Sequence, residues 1–282
     1  MYNKTDLKNK LESIHRKSYP AYKSLRGSYT FGDFVLSIDH VQGDPFAAPS
    51  SLHVELPLAK AGFPEKYFEG RHTKTALEDL ILRKFSRALD QYSFKAKGSG
   101  KSGLISTSRP GPEVMRRTAV EFTEKLLIVR FEVGFPANGR TINAQELEKI
   151  LLDFLPQIVK KCLYYQAWDK RLVQEGFELA ENQQKIREVL EERKLVAFCA
   201  NGSILPRKSG VSSQPLKDAV AFESPKSMEL AIDLPFGGSI FGMGIPEGMT
   251  LIIGGGYHGK STLLQALEQG VYNHVKGDGR EY

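Results

Sequence analysis

Two stretches of this sequence combine glycines with a lysine and a hydroxyl side chain, the combination that holds a phosphate: "GSGKSG" at 98–103 and "GGGYHGKS" at 254–261. A phosphate loop of the form GxxxxGK[ST] must follow a buried strand and open a helix. Loop N–H groups and the helix dipole then converge on the phosphates, with lysine on the β- and γ-oxygens and the hydroxyl on Mg2+. The first stretch fails this specification. Lys95 stands five residues before Gly100 where a glycine is required, "DQYSFKAK" ahead of it is the polar end of a helix, and Pro110 and Pro112 bar a helix behind it.

The second stretch meets every condition. Gly254 and Gly259 have the required spacing, Lys260 and Ser261 complete the motif, Leu251-Ile252-Ile253 reads as a buried strand, and Leu263, Leu264 and Leu267 begin a helical stripe. Gly254, Gly255, Gly256 and Gly259 allow positive φ and close approach of the backbone to phosphate. Lys260 is expected to bridge β- and γ-phosphate oxygens, Ser261 to bind Mg2+, and the Thr262 N–H to point at the α-phosphate. Tyr257 and His258 occupy the variable positions. His258 reads either as a γ-phosphate sensor or as a solvated loop residue.

The elements that must position these loops follow from hydrophobic periodicity. Thr5 is expected to cap a helix with Leu7, Leu11 and Ile14 on one face. Phe34, Leu36 and Ile38 alternate with Val35, Ser37 and Asp39, and Leu52, Val54 and Leu56 alternate in the same way, so two strands flank "QGDPFAAPS". Leu77, Leu80, Ile81, Phe85, Ala88, Leu89 and Tyr92 trace a helical stripe ending before "GSGKSG". "TAVEFTEKLLIVRFEVGFP" reads as a hairpin turning at Thr123-Glu124-Lys125. Asn143 and Glu146 resemble a capping box before Leu147, Ile150, Leu151 and Phe154, with Pro156 kinking or ending that helix. A long helix over about 169–194 precedes a strand- and turn-rich region. The fold class is α/β, with an N-terminal domain over 1–195 and a second over 196–282.

Composition narrows the function classes. With 41% hydrophobic, 26% charged and 10% aromatic residues the chain is a folded globular protein, and its net charge of +6 favours polyanions. Cys162 and Cys199 show no CxxC spacing, which argues against a disulfide framework or a zinc site. "MYNKTDLKNK" is not a secretory signal, and "LLIV" at 126–129 is too short to cross a bilayer, so a soluble, cytoplasmic protein without a membrane is expected.

Hydrolysis of a nucleotide needs more than the loop. It needs a Mg2+-positioning carboxylate at a strand end and a group that orients the attacking water. Asp233 in "LAIDLP" is the nearest candidate and reads better as part of an antiparallel strand. Since Tyr282 follows Ser261 so soon, the expectation is a shortened sequence, or a domain completed by a second polypeptide.

Four stretches, "GKSGLISTSRPGPEVMRRTAV", "RFEVGFPANGRTI", "LVAFCANGSILPRKSGV" and "GMGIPEGMTLIIGGGYHGKSTLLQALE", resemble the ATPases of the ABC class. That family has an RNA-binding, RNA-editing-associated mitochondrial ATPase of kinetoplastids among its members. The resemblance runs from about residue 30 to the end. It implies an α+β N-terminal domain followed by the start of an ABC-type P-loop nucleotide-binding domain, ATP and Mg2+ as ligands, and a homodimer around a basic channel for nucleic acid. The loop motif carries over position by position. The signature motif, the Walker B carboxylate and the catalytic glutamate do not, so turnover of ATP is expected to need segments beyond residue 282. An adenine-stacking aromatic is implied upstream, for which Phe236 or Phe241 could serve, each equally readable as core.

The first glycine stretch sits in a basic segment with Lys95, Lys97, Lys101, Arg109, Arg116 and Arg117 against a single Glu113. It reads as a flexible loop that contacts an RNA or DNA backbone without base readout, or as a merely solvated one. Tyr92 and Phe94 could add a stacking platform or pack inward. Two functions are therefore expected in competition: an ATP-binding ABC-class ATPase, or a nucleic-acid-binding module whose nucleotide site is vestigial or completed in trans.

Overall fold

The computed structural model describes residues 2–282. The chain forms two compact units, Met1–Phe68 with Glu78–Arg109 and Arg116–Lys170, and Glu69–Leu77 with Pro110–Met115 and Arg171–Tyr282. The long helix therefore groups with the second unit, whereas the sequence reading ends the first domain after it.

In chain order the first part contains β1 (Tyr2–Asn3), α1 (Lys4–Ile14), β2 (Gly27–Thr30), β3 (Val35–His40), β4 (Ser50–Pro57), α2 (Leu58–Ala61) and α3 (Arg71–Tyr92). Then come β5 (Ile105–Ser106), β6 (Glu113–Val114), β7 (Val120–Phe122), β8 (Leu126–Val133), β9 (Ala137–Asn138), β10 (Thr141–Ile142), α4 (Ala144–Glu148) and α5 (Leu155–Cys162). The first unit is built on a seven-stranded sheet in the order β1-β2-β3-β4-β8-β5, with β7 also on β8. Antiparallel pairing of β4 with β8 sets Leu52 opposite Phe131, Val54 opposite Val129 and Leu56 opposite Leu127, so the period-two pattern of both strands falls on one face. All six are buried. Phe85 of α3 meets Phe131 edge-on with ring centres 5.9 Å apart, which puts the apolar stripe of the helix over that face.

Local signals deviate from expectation where a better partner exists. The cap of α1 is Asn3 rather than Thr5. Asn3 Oδ1 accepts from the Asp6 N–H at 2.9 Å and Asp6 Oδ2 accepts from the Asn3 N–H at 2.8 Å, a reciprocal box that only the residue three before Asp6 can make. Asn143 heads α4 but its side chain caps nothing. Its expected partner Glu146 instead accepts from the Lys97 N–H at 2.9 Å. Pro156 does not end the helix. Residues Lys149–Phe154 form a π-helical stretch and Pro156 lies in the first turn of α5. Pro156 has no N–H to give the Leu152 carbonyl, which accepts from Lys4 Nζ at 3.3 Å.

The second unit contains α6 (Lys170–Glu192), β11 (Leu195–Ala200), β12 (Glu229–Asp233), β13 (Ser239–Pro246), α7 (Lys260–Gln269) and β14 (Asn273–His274). Its antiparallel sheet has the order β11-β13-β12. Ile186 and Val189 of α6 bury against Ile232, with Phe198, Leu230 and Ile240 packed around them. Asp233 lies on this sheet, as the alternation in "LAIDLP" predicts, and accepts from Ser239 Oγ at 2.6 Å. The segment after α7 is tied down by a buried knot. Asp278 Oδ2 lies 2.7 Å from both His274 Nδ1 and Arg207 Nη2, and Gln183 Nε2 donates to the His274 carbonyl at 2.9 Å. Burial alone would raise the Asp278 pKa. The hydrogen bond to His274 and the charge of Arg207 more than offset this and hold it below the ordinary carboxylate value. Among the described residues no helix is long and apolar enough to cross a membrane.

Candidate phosphate-binding site

The motif at 254–262 lies between β13 and α7. Strand β13 ends at Pro246, and the chain turns at Gly248 with φ 106°. Residues 251–253 form no strand, contrary to expectation, and Leu251 and Ile253 are 82% and 79% exposed. A strand exists only through a neighbour that takes its N–H and C=O groups, and the described residues offer this run none.

From Gly254 onward the loop follows the specification. Gly254 has φ 155° and Gly259 φ 79°, conformations that side chains with a Cβ rarely adopt, and α7 opens at Lys260 directly behind Gly259. No side chain caps this helix, so its leading N–H groups face outward without a side-chain acceptor. A Cβ built at Gly256 or Gly259 would meet nothing within 4 Å. Lys260 folds back over the loop, and its Nζ donates to the Gly254 carbonyl at 2.8 Å and to the Gly255 carbonyl. The Gly255 N–H donates to His258 Nδ1 at 3.2 Å. Ser261 is exposed at the helix start, and Thr262 behind it is half-buried. The arrangement gathers an ammonium, a hydroxyl and uncapped helix amides at one open position, which is chemistry for an anion and its counter-cation.

Beside the loop lies a hollow of about 290 Å3 lined by Leu205, Pro206, Val220, Phe222, Ile252, Ile253, His258, Gly259, Lys260, Thr262 and Leu263. Phe222 is fixed there by its backbone, which donates to the Ser203 carbonyl and accepts from the Gly202 N–H, both at 2.8 Å. The aromatics expected near the base do not line it. Phe236 packs edge-on against Phe177 at 6.0 Å with its N–H given to Asn182, and Phe241 stands exposed on β13. Phe222 escaped the sequence reading because it lies in an aperiodic loop, where no pattern marks which aromatic turns inward.

"GSGKSG" is neither a phosphate loop nor the flexible loop expected of it. The N–H groups of Ser99, Lys101 and Gly103 donate to the carbonyls of Ala137, Pro45 and Gly134 at 2.7, 2.8 and 2.9 Å. Ser102 Oγ accepts from the Ala137 N–H at 3.0 Å. The glycines are there for close packing: a Cβ on Gly103, at φ 79°, would stand 2.0 Å from the Ala96 carbonyl oxygen, and one on Gly134 1.8 Å from that of Lys101. These amides are spent inside the fold and cannot meet an anion.

The charges around this loop are largely engaged as well. Arg109 pairs with Asp90 at 2.6 Å, Arg116 with Glu121 at 3.6 Å, and Arg117 with buried Asp79 at 2.6 Å. Lys97 Nζ donates to the Phe94 carbonyl, Lys95 lies over the Tyr92 ring, and Tyr92 itself packs at a tilt against Phe154. Phe94 stays exposed. Among the described residues no group of His, Cys, Asp and Glu is placed to hold a metal ion. Burial pushes the Cys162 thiol up to about 11 and the Cys199 thiol up to about 12, which keeps both unreactive.

Comparison with known proteins agrees with this geometry. An uncharacterized protein of Methanocaldococcus jannaschii is 38% identical over 109 residues, 36% of this chain and 24% of that protein. The chain thus spans about a quarter of the length of that relative. Residues 4–166 match the family model described as the N-terminal domain of ATPases of the ABC class. Residues 169–282 match the ABC ATPase P-loop domain. With two adjoining models spanning most of its length, the chain belongs to the family of ABC-class ATPases.

Proposed function

We propose that this chain binds MgATP through Gly254–Thr262. The observation that carries the reading is the uncapped N-terminus of α7 behind two glycines at positive φ, with Lys260 folded across the same loop. In the bound state Lys260 exchanges the Gly254 and Gly255 carbonyls for β- and γ-phosphate oxygens. The amides of Gly256 through Thr262 surround the phosphates, and the Ser261 hydroxyl holds Mg2+, which neutralises phosphate charge. The hollow beside Lys260 and Thr262 takes the base, with the Phe222 ring as its apolar wall. Hydrolysis of ATP by the whole protein, and its dimerisation, are proposed from family membership alone.

Nucleic-acid binding by the basic segment is a second reading with less behind it, since Arg109, Arg116 and Arg117 already pair with carboxylates of the fold. The MgATP reading is tested by titrating the isotope-labelled protein with MgATP and following amide resonances. It requires saturable shifts of Gly254, Gly259, Ser261 and Thr262. Shifts confined to other residues, or none, would refute it.

A further inference from the structure

Resting on the MgATP reading above, we propose that residues 217–221 form a strap that closes over the bound nucleotide, and that Val220 is its contact to the base. Val220 and Phe222 both line the hollow beside Lys260. They differ in how the fold holds them. Phe222 is half-buried and fixed by two backbone bonds, whereas Val220 is 91% exposed.

The segment that carries Val220 is pinned at both ends and nowhere between. On one side the Leu216 N–H donates to the Pro206 carbonyl at 2.9 Å. On the other the Phe222 N–H donates to the Ser203 carbonyl at 2.8 Å, and the Ser224 N–H to Asn201 Oδ1 at 2.7 Å. Both anchors sit on the same short stretch, 201–206, which Arg280 holds in turn through the Leu205 carbonyl. Between the anchors, residues 217–221 make no hydrogen bond or ion pair with any described residue, through backbone or side chain. The chain turns there at Asp218, held at φ 62°. Backbone groups left to water mark a segment that opens and closes at little cost. Because its ends are fixed, the movement left to it is that of Val220 at the rim of the hollow.

The hollow gives the strap something to close on. Ile253 lines it too and is as open to water as Val220, so two apolar side chains at its rim lack cover. A base seated against Phe222 offers both of them a partner, and covering them removes apolar surface from water. Small-ligand sites bury most of their ligand, and closure of a loop on binding is one way to reach that.

Thiol accessibility tests this, because Cys162 and Cys199 are buried and leave an introduced thiol as the reactive one. Val220→Cys and Val211→Cys are each treated with an aromatic disulfide, with and without saturating MgATP; Val211 is fully exposed and serves as the reference. MgATP should slow the reaction at position 220 by about tenfold, as for a strap closed about nine-tenths of the time, and leave position 211 unchanged. In calorimetry Val220→Ser should bind MgATP about three- to tenfold more weakly than the wild type, roughly half the worth of burying one valine side chain. An unchanged rate at position 220 in protein that calorimetry shows to be saturated, or equal slowing at both positions, overturns the strap and leaves the MgATP site in place. So does a Val220→Ser protein that binds as tightly as the wild type. If the wild type does not bind MgATP, or Lys260→Ala binds it as the wild type does, the MgATP reading falls and the strap falls with it.

Discussion

Replacing Gly103 by alanine tests the claim that the first glycine loop is a packing device. The new Cβ would lie 2.0 Å from the Ala96 carbonyl oxygen, well inside contact distance, and backbone rather than a mobile side-chain end would have to move. Overpacking of this kind costs about 1–3 kcal/mol. The φ of 79° adds about 1–2 kcal/mol for a residue with a Cβ in the left-handed region. Together these give a loss on the order of 3 kcal/mol, to which the Gly103 N–H bond to Gly134 is exposed as well. The sole tryptophan, Trp168, is 7% exposed and belongs to the same unit, so its fluorescence reports urea unfolding there. With a urea dependence of about 1–3 kcal/mol per molar, the midpoint should fall by about 1 M or more. Lys101→Ala, which leaves the packed backbone intact, should stay within about 0.5 kcal/mol of the wild type. A Gly103→Ala protein as stable as the wild type would refute the packing argument.

Other outcomes follow from the same geometry. Phe222→Ala should weaken MgATP binding by about 1–3 kcal/mol, the range for one aromatic–base contact, while Phe241→Ala leaves the titration unchanged. Arg117→Ala removes one of the two arginines that meet buried Asp79, and should cost about 2 kcal/mol in the Trp168-detected transition. Asp278 has a folded-state pKa below its unfolded value. Its stabilising contribution is therefore full above the ordinary carboxylate value of about 4 and is lost as pH falls through the lower folded value. Urea unfolding of the second unit, followed by circular dichroism between pH 5 and pH 3, should lose stability more steeply in the wild type than in Asp278→Asn, and equal slopes would count against the knot.

Periodic segments were legible because burial of one face leaves a pattern in the chain. Leu7, Leu11 and Ile14 on α1, the alternating Leu52, Val54 and Leu56, and the hairpin at Thr123-Glu124-Lys125 all lie where their spacing puts them. The motif Gly254–Ser261 was legible for a different reason: its glycines and the lysine at the helix start are demanded by backbone geometry, which spacing encodes directly. What spacing does not encode is competition for partners. Glu146 had the right offset from Asn143, yet the Lys97 amide claimed it, and Arg117 looked available in a basic run until Asp79 met it. The buried strand at 251–253 was misread because an apolar run reports that burial is favourable, not that a neighbouring strand is present. Phe222 and the ring of His258 lie in loops, where contacts come from the fold and not from any repeat.

Whether phosphate binds at the second glycine loop, as proposed, and not at the first is decided by one paired measurement: the affinity for MgATP of Lys260→Ala against that of Lys101→Ala. Lys260 reaches across a loop whose helix amides are uncapped, whereas the amides around Lys101 are spent on Pro45, Ala137 and Gly134. Lys260→Ala should abolish binding, and Lys101→Ala should leave it at the wild-type value. Loss of binding in Lys101→Ala with full retention in Lys260→Ala would contradict it.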